Sequence, residues 1–154
     1  MSLELHSTNS IPSRGQLASV AYENKHRALK IASVSGVMTI IVGLGIIFIG
    51  IRECFEPGAA ARGFGVPLLD PRDGDLLAIK AARDVASGVL ALTFLGLRDR
   101  LFLAWAIAAL TLIPIFDGLI VFRHASWIFT PIILIHWTTA AFMLLIVALL
   151  WRGK

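Results

Sequence analysis

Apolar residues along the chain are gathered into four long stretches that are separated by polar connections. The stretches cover residues 31–51, 76–97, 101–122 and 127–151. A helix needs about 20 mainly apolar residues to cross the hydrocarbon core of a bilayer. Each stretch has this length, so the pattern predicts an all-α fold, a polytopic membrane bundle of four transmembrane helices.

The polar connections predict how these helices are arranged. Residues 98–100 and 123–126 are so short that each connection must join two antiparallel helices. Residues 52–75 form the one long connection, a loop rich in Gly, Pro and Ala. Loops of this length are often functional. A lid over a binding site and a simple turn at the membrane surface are both open interpretations of it.

A polar segment, residues 1–30, precedes the predicted four-span transmembrane domain of residues 31–151. Residues 1–16 contain Ser, Asn, Pro and Gly, a composition typical of disorder. Residues 17–30 are expected to form a helix at the membrane surface. Because the segment lacks the apolar core of a signal peptide, we expect no cleavable signal, and the first span itself must direct insertion.

Basic residues near the ends of the spans predict the orientation of the chain. One predicted face carries Arg14, Lys25, Arg27, Lys30, Arg98, Arg100, Arg152 and Lys154. The opposite face carries Arg52, Arg62, Arg72 and Arg123, to which Lys80 and Arg83 are added if they are counted there. Cytoplasmic faces of membrane proteins carry the excess of Lys and Arg. Both termini are therefore expected on the cytoplasmic side.

Composition supports a membrane protein and excludes several other classes. Apolar residues make up 57% of the 154 residues, charged residues 16%, and the mean hydropathy is +0.81. Soluble domains carry roughly a quarter charged residues. The net charge of +4 is spread along the chain without a basic run, so no nucleic-acid partner is expected. Cys54 is the sole cysteine, which excludes an internal disulfide and a Cys-x-x-Cys redox enzyme.

Ionisable residues interrupt the predicted spans at Lys80, Arg83, Asp84, Asp117 and His136. A charged side chain at the bilayer centre costs about 2.5–3.5 kcal/mol on insertion scales, so such residues persist where they face protein or water. Measured from the face of the long loop, Arg83 and Asp84 lie roughly 11–12 Å deep. Asp117 lies roughly 9 Å deep and His136 roughly 13 Å deep. Three helices therefore bring ionisable groups to one half of the membrane.

The spacing of these residues also places them on common faces. Lys80, Arg83, Asp84 and Ser87 follow the i, i+3, i+4, i+7 pattern of one helical face. Gly88 beside them would let another helix backbone approach closely. We therefore expect this face of the second span to pack against other helices.

Pro114 lies three residues before Asp117 in the third predicted span. Because proline has no amide hydrogen, the Leu110 carbonyl loses its usual helical partner. The sequence therefore predicts a kink at this point, which is typical of membrane helices that line a cavity.

The side chains available in this half of the membrane favour acid/base chemistry. No metal-ligand set, haem pair, phosphate-binding loop or hydrolase motif occurs in the sequence, so neither a metal nor a cofactor is expected. Asp84 and Asp117 are the expected proton-handling carboxylates. His136 is expected to shuttle a proton or orient the substrate, and Arg83 to hold an anionic oxygen. These four are the candidate catalytic residues of a metal-free enzyme.

Further residues are candidates for contact with the substrate: Lys80, Arg62, Phe64 and Trp137. Lys80 has an alternative role, since it lies close enough to the interface for its ammonium group to reach the headgroups. The ionisable residues as a set also have an alternative, purely structural role, because paired charges can serve only to fix the register of the helices.

The combination of segments resembles one known family. These segments are 61–67 (ARGFGVP), 80–88 (KAARDVASG), 113–118 (IPIFDG) and His136, spread over roughly residues 31–151. They are similar to the small integral membrane proteins of fungi and bacteria that are described as domain of unknown function 4267. The resemblance implies a four-helix membrane protein. Some fungal relatives look like members of natural-product gene clusters, which implies tailoring of a lipophilic metabolite in specialised metabolism.

These observations lead to one expected function and two alternatives. The expected protein binds a lipophilic small molecule at the intramembrane polar cluster and performs isomerisation, cyclisation or epoxide opening on it. The alternatives are a small-molecule transporter or accessory subunit, and a structural membrane protein. Transport is disfavoured because four-span exporters usually place a carboxylate in the first span, and residues 31–51 contain none. Membrane lipids are further partners, and the expected location in a fungus is the endoplasmic reticulum or another endomembrane. The oligomeric state stays open.

Overall fold

The computed structural model describes residues 12–64, 66, 70, 73–124 and 131–153. The helices are α1 (Arg14–Arg27), α2 (Val34–Phe55), α3 (Pro57–Phe64), α4 (Gly74–Gly96), α5 (Arg100–Leu110), α6 (Leu112–His124) and α7 (Pro131–Trp151). These described residues contain no β-strand, and the one β-type contact recorded among them is an isolated bridge between Ala28 and Asp99. The predicted all-α class is therefore confirmed.

Three segments in the described part of the chain are long and apolar enough to cross a membrane: Val34–Phe55, Arg100–His124 and Pro131–Trp151. They correspond to the first, third and fourth predicted spans and fit a multi-pass membrane protein. The prediction counted four such segments. The remaining one, α4, has sufficient length, but its polar face of Lys80, Arg83 and Asp84 lowers its apolar character. Its place in a bilayer therefore depends on what that face contacts.

The ends of several elements differ from the sequence prediction. The N-terminal helix begins at Arg14, so the predicted disordered segment extends too far, and residues 1–11 lie outside the described residues. The first span is shifted toward the long loop and continues to Phe55 instead of ending at residue 51. The long loop itself contains α3. The start of the last predicted span, residues 127–130, lies outside the described residues.

The third predicted span is interrupted at Thr111, between α5 and α6. This interruption lies where Pro114 removes the amide that would bond to the Leu110 carbonyl. The Thr111 hydroxyl donates to the Ile107 carbonyl at 2.7 Å, which satisfies this buried side chain within the helix. A helix interruption therefore lies in the middle of the span, close to the point where the sequence predicts a kink.

Small residues let α2 and α4 approach each other closely. A Cβ added at Gly88 would lie 2.5 Å from the Gly43 carbonyl oxygen, and one at Gly50 would lie 2.7 Å from the Ala81 carbonyl oxygen. Such distances leave no room for a side chain. Membrane helices associate by close packing of this kind, because lipid chains are as apolar as the helices themselves. The close approach expected at Gly88 is confirmed.

Contacts between chain segments identify one end of the bundle. The Leu29 amide donates to the Arg98 carbonyl at 2.8 Å, in a tight turn where Arg98 has a φ of 57°. Arg100 Nη1 donates to the Leu150 carbonyl at 3.3 Å. The residues after α1, the α4–α5 turn and the end of α7 therefore lie together. The long loop and α3 lie at the opposite ends of α2 and α4.

Candidate functional site

Two buried carboxylates share the ammonium group of Lys80. The Lys80 Nζ atom lies 2.6 Å from Glu53 Oε1 on α2 and 2.6 Å from Asp84 Oδ2, one turn further along α4. The three side chains are 14%, 8% and 9% exposed, respectively. Lys80 is therefore held inside the bundle between two acids. Its alternative role, reaching out to the headgroups, is not what its side chain does here.

Arg83 joins α4 to α6 through a second pair of carboxylates. Its Nη2 atom lies 3.0 Å from Asp84 Oδ1 and 3.0 Å from Asp117 Oδ2. Nε donates to Asp84 Oδ1 at 3.1 Å, and Nη1 donates to Asp117 Oδ1 at 3.3 Å. The guanidinium therefore binds Asp117 with two nitrogens, a geometry that fixes both side chains.

These contacts make one continuous series, which we call the ionic ladder: Glu53, Lys80, Asp84, Arg83 and Asp117. It crosses from α2 through α4 to α6 and contains three acids against two bases. Every carboxylate oxygen of Asp84 and Asp117 accepts a hydrogen bond from one of the bases. Glu53 Oε2 is buried and has no hydrogen-bond partner. With all groups ionised, the ladder would carry one excess negative charge, and Glu53 is where that charge lacks compensation.

Glu53 was missed by the sequence analysis because the first span was ended at Ile51. The helix continues to Phe55, so Glu53 is on the same helix as the close-packing glycines of α2. The available signal was the spacing from Gly43 to Gly50 and from Gly50 to Glu53, seven and three residues, which repeats one helical face. The residue is 6% exposed, a value expected of an acid only when it is paired.

His136 and Phe64 meet at the side of the ladder nearest the long loop. Their ring centroids lie 5.2 Å apart with an interplanar angle of 73°, an edge-to-face contact. The Lys80 ammonium lies 5.1 Å from the centroid of the same Phe64 ring. Phe64 is the last residue of α3, so this short helix brings an aromatic side chain over two polar groups. The long connection therefore contributes to the site through an ordered helix.

A cavity of about 110 Å³ lies beside the ladder. Its polar lining consists of Lys80, Asp84, Ser87, Asp117, His136 and Thr139. Its apolar lining consists of Ile46, Ile49, Leu110, Ile113, Pro114 and Ile135. The cavity is bounded by five helices, and residues on both sides of the α5–α6 interruption, Leu110 and Ile113, form part of its wall. The cavity therefore has two carboxylates and an imidazole, which are the group types used in general acid/base chemistry, and hydrocarbon side chains in the rest of its lining.

The predicted residues are not all brought to this cavity. The cavity is lined by Asp84, Asp117, His136 and Lys80. Arg83 binds the two carboxylates but is absent from the lining. The other predicted substrate contacts lie elsewhere. Arg62 is exposed on α3. Trp137 is 39% exposed and faces Gly118, where an added Cβ would lie 3.3 Å from its ring. Adjacent helical residues point in directions about 100° apart, which separates Trp137 from His136.

No group of three or more His, Cys, Asp and Glu side chains in the described part of the chain is arranged to hold a metal ion. Asp84 and Asp117 have their oxygens engaged with Lys80 and Arg83. The polar groups of the cavity are therefore organised around ion pairs.

A family model described as a domain of unknown function (DUF4267) matches residues 43–150. This match covers more than half of the 154 residues, so the chain belongs to that family. The matched part runs from α2 to α7 and includes the whole ionic ladder. No curated protein and no solved structure matches the chain significantly. The family predicted by resemblance is therefore confirmed, and its description names no activity.

Proposed function

We propose that this DUF4267 membrane protein crosses the bilayer four times and binds a lipophilic small molecule in the polar cavity. The additional span is α4, whose 23 residues extend about 34 Å at 1.5 Å per residue. Its Lys80 and Asp84 side chains are buried against other helices, and Arg83 is bonded to two acids. Pairing of this kind is what makes ionisable residues tolerable inside a membrane.

The observation that carries the proposed function is the two-sided lining of the cavity. A lipophilic ligand would contact the isoleucine side chains, and its reactive atoms would face Asp84, Asp117 and His136. Every carboxylate oxygen of Asp84 and Asp117 accepts a hydrogen bond from Lys80 or Arg83, so both carboxylates are held in fixed positions. One carboxylate would remove a proton from the ligand, and His136 would return a proton to another atom. Isomerisation, cyclisation and epoxide opening all proceed by such transfers without an external oxidant or reductant.

The proposed role of Arg83 differs from the role expected from the sequence. An arginine that held an anionic oxygen of the ligand would have to line the cavity. Arg83 instead donates hydrogen bonds to Asp84 and Asp117 and does not line the cavity. We therefore assign Arg83 to positioning these two carboxylates. A purely structural ladder remains the alternative, and the following experiment separates the two.

The test compares membrane abundance with metabolite output in the native host for Asp117→Asn, Asp84→Asn and His136→Gln. General acid/base catalysis is typically worth about 10²–10⁴ in rate. If Asp117 transfers a proton, the Asn variant accumulates normally and loses product by about that factor, because an amide cannot take up the proton. The control is Glu56→Gln, which removes an exposed carboxylate outside the ladder. Unchanged metabolites from abundant variants of all three residues would exclude catalysis, and scarce variants with proportionate output would favour the structural role.

Proton-coupled transport is a second candidate, and Glu53 is the observation that favours it. The sequence argument against transport was the lack of a carboxylate in the first span. Glu53 is a buried carboxylate on α2 with one unpaired oxygen. In a transporter this group would take up a proton when a cationic ligand leaves. Vesicles that contain the purified protein distinguish the candidates: a transporter moves an unchanged lipophilic amine against a proton flux, whereas an enzyme releases an altered molecule.

We also propose that both termini face the cytoplasm. The support is the shared end of the bundle, where Lys30, Arg98, Arg100 and Arg152 follow or precede the membrane helices. A cytoplasmic excess of basic residues determines the orientation of most membrane proteins. In a fungal cell, the proposed location is the endoplasmic reticulum or another endomembrane, where lipophilic intermediates of specialised metabolism would reach the cavity from the bilayer.

A further inference from the structure

A second cavity adjoins the polar one and runs between α2 and α7. It measures about 380 Å³ and is lined by apolar side chains and two threonines, among them Ile41, Phe142 and Thr138. Gly45 forms part of its floor, and a Cβ added there would have no atom within 4 Å. Ile41 is 59% exposed, so the cavity is a groove that opens to the outer surface of the bundle. We call it the α2–α7 groove.

The groove and the polar cavity are adjacent. Ile46, Ile49 and Thr139 line both of them. From this shared wall, the groove follows α2 back toward Ile41, away from the long loop and toward the middle of the bundle. Ile41 and Ile49 are eight residues apart, roughly 12 Å along the helix axis. A molecule whose polar end lies beside Asp84 and Asp117 can therefore extend its apolar part along the groove without leaving the protein.

We propose that the ligand of the polar cavity is an amphiphile whose hydrocarbon chain lies in the α2–α7 groove. This inference rests on the proposed function, because it takes the ligand's polar end to occupy the cavity. The cavity is small, about 110 Å³, so it holds a head group and not a whole lipophilic molecule. A cationic head group, such as an amine, is the better match, because Asp84 and Asp117 line the cavity and Glu53, which holds the excess negative charge outside the lining, binds the lining residue Lys80. The groove is the proposed place for the chain because it adjoins the cavity at Ile46, Ile49 and Thr139.

The groove orients the bound ligand and adds little to the free energy of binding. Lipid chains are as apolar as the side chains of the groove, so moving a hydrocarbon chain from bilayer to groove gains little free energy. The ion pairs and hydrogen bonds at the head group supply the affinity. The groove determines where the chain leaves the cavity and, consequently, how the head group is oriented against Asp84, Asp117 and His136. Filling the groove should therefore act by steric exclusion of the chain.

Two photoreactive probes test this arrangement on the full-length protein in lipid nanodiscs. Both are decylammonium derivatives; one carries the diazirine beside the ammonium group and the other carries it at the end of the chain. The head probe is expected to label residues of the polar cavity, and the tail probe is expected to label α2 and α7 near Ile41 and Phe142. Unlabelled decylammonium should displace both probes.

Gly45→Leu provides the decisive variant because it fills the groove without touching the ladder. It should cause a loss of tail-probe labelling near Ile41 and Phe142, because the leucine side chain occupies the open space beside Gly45 that the hydrocarbon chain would fill. The matched control is Gly96→Leu, since Gly96 also has no neighbouring atom within 4 Å and lies at the far end of α4. The control should leave both labelling patterns unchanged.

Three results would overturn the inference, and they differ in whether they also contradict the proposed function. If the head probe labels the cavity but tail labelling is unchanged in Gly45→Leu, the groove assignment is wrong and the proposed function stands. If a phosphatidylcholine chain probe labels the groove and decylammonium does not displace it, the groove holds a membrane lipid. If neither decylammonium probe labels the cavity, the inference is wrong and the proposed binding function loses its support as well.

Discussion

Removal of the Lys80 charge and removal of the Glu53 charge should have very unequal consequences for stability, although the two side chains bind each other. Lys80→Met leaves Glu53 without any partner, because Lys80 is its sole hydrogen-bond donor in the described contacts. Asp84 keeps its contact with Arg83. Glu53→Gln removes the excess acid and leaves Lys80 bound to Asp84 and to the new amide oxygen. The ladder becomes less balanced in the first variant and more balanced in the second.

The magnitude follows from burial. Glu53 and Lys80 are 8% and 14% exposed, so solvent screens their interaction little. Removing one partner of a buried pair costs about 3–5 kcal/mol, because the other charge is left uncompensated. A change of 1 kcal/mol moves the melting temperature of a chain of this size by roughly 2–4 °C. Lys80→Met should therefore lower the melting temperature by roughly 6–20 °C. Glu53→Gln should change it by less than about 4 °C.

The measurement is thermal unfolding of purified protein in a mild detergent at neutral pH, followed by the loss of the folded species in size-exclusion chromatography. The combined variant Lys80→Met/Glu53→Gln should recover most of the stability that Lys80→Met loses, because it contains no isolated charge. Arg52→Met is the matched control, since Arg52 is 62% exposed in its pair with Glu56. Equal destabilisation by the two single variants, or no recovery in the combined one, would refute the charge argument.

Two further predictions concern packing and orientation. Gly88→Val should prevent accumulation of folded protein, because a Cβ at this position would lie 2.5 Å from the Gly43 carbonyl oxygen, whereas Gly96→Val should accumulate normally; similar abundance would show that α2 and α4 can separate. In a Cys54→Ser background, a cysteine at Gln16 should react with a membrane-impermeant thiol reagent from the cytoplasmic side, and one at Asp70 from the other side. Labelling of position 16 from the non-cytoplasmic side would invert the proposed topology.

The sequence predicts the helical elements better than their ends. Long apolar runs are visible without a structure, because the bilayer requires about 20 such residues. Whether a polar residue at the edge of a run continues the helix depends on a partner elsewhere in the chain. Glu53 extends α2 as a buried residue because Lys80 binds it. That contact is separated by 27 residues, and local periodicity does not encode it.

The candidate site could be predicted in part for the same reason. The depth of a residue along a helix follows from counting residues. The sequence could therefore predict that α4 and α6 meet at Arg83 and Asp117. Direction around a helix depends on packing. Arg83 and Trp137 were both expected to contact the ligand. Neither lines the cavity, and Trp137 faces Gly118 instead. Phe64 was expected on a loop, and the helix α3 brings it to His136.

The short turn between α4 and α5 has a consequence for how the chain enters the membrane during synthesis. If α4 spans the bilayer, its Lys80 and Arg83 need Glu53 from the preceding helix and Asp117 from the following one. Arg98 and Asp99 leave almost no chain between α4 and α5, so the two must leave the translocation channel as a hairpin. A ribosome stalled after α4 would leave this helix at the channel before Asp117, the partner of Arg83, has been synthesised. Insertion of this segment is thus a joint event of consecutive spans, and truncation within α6 should leave α4 outside the bilayer.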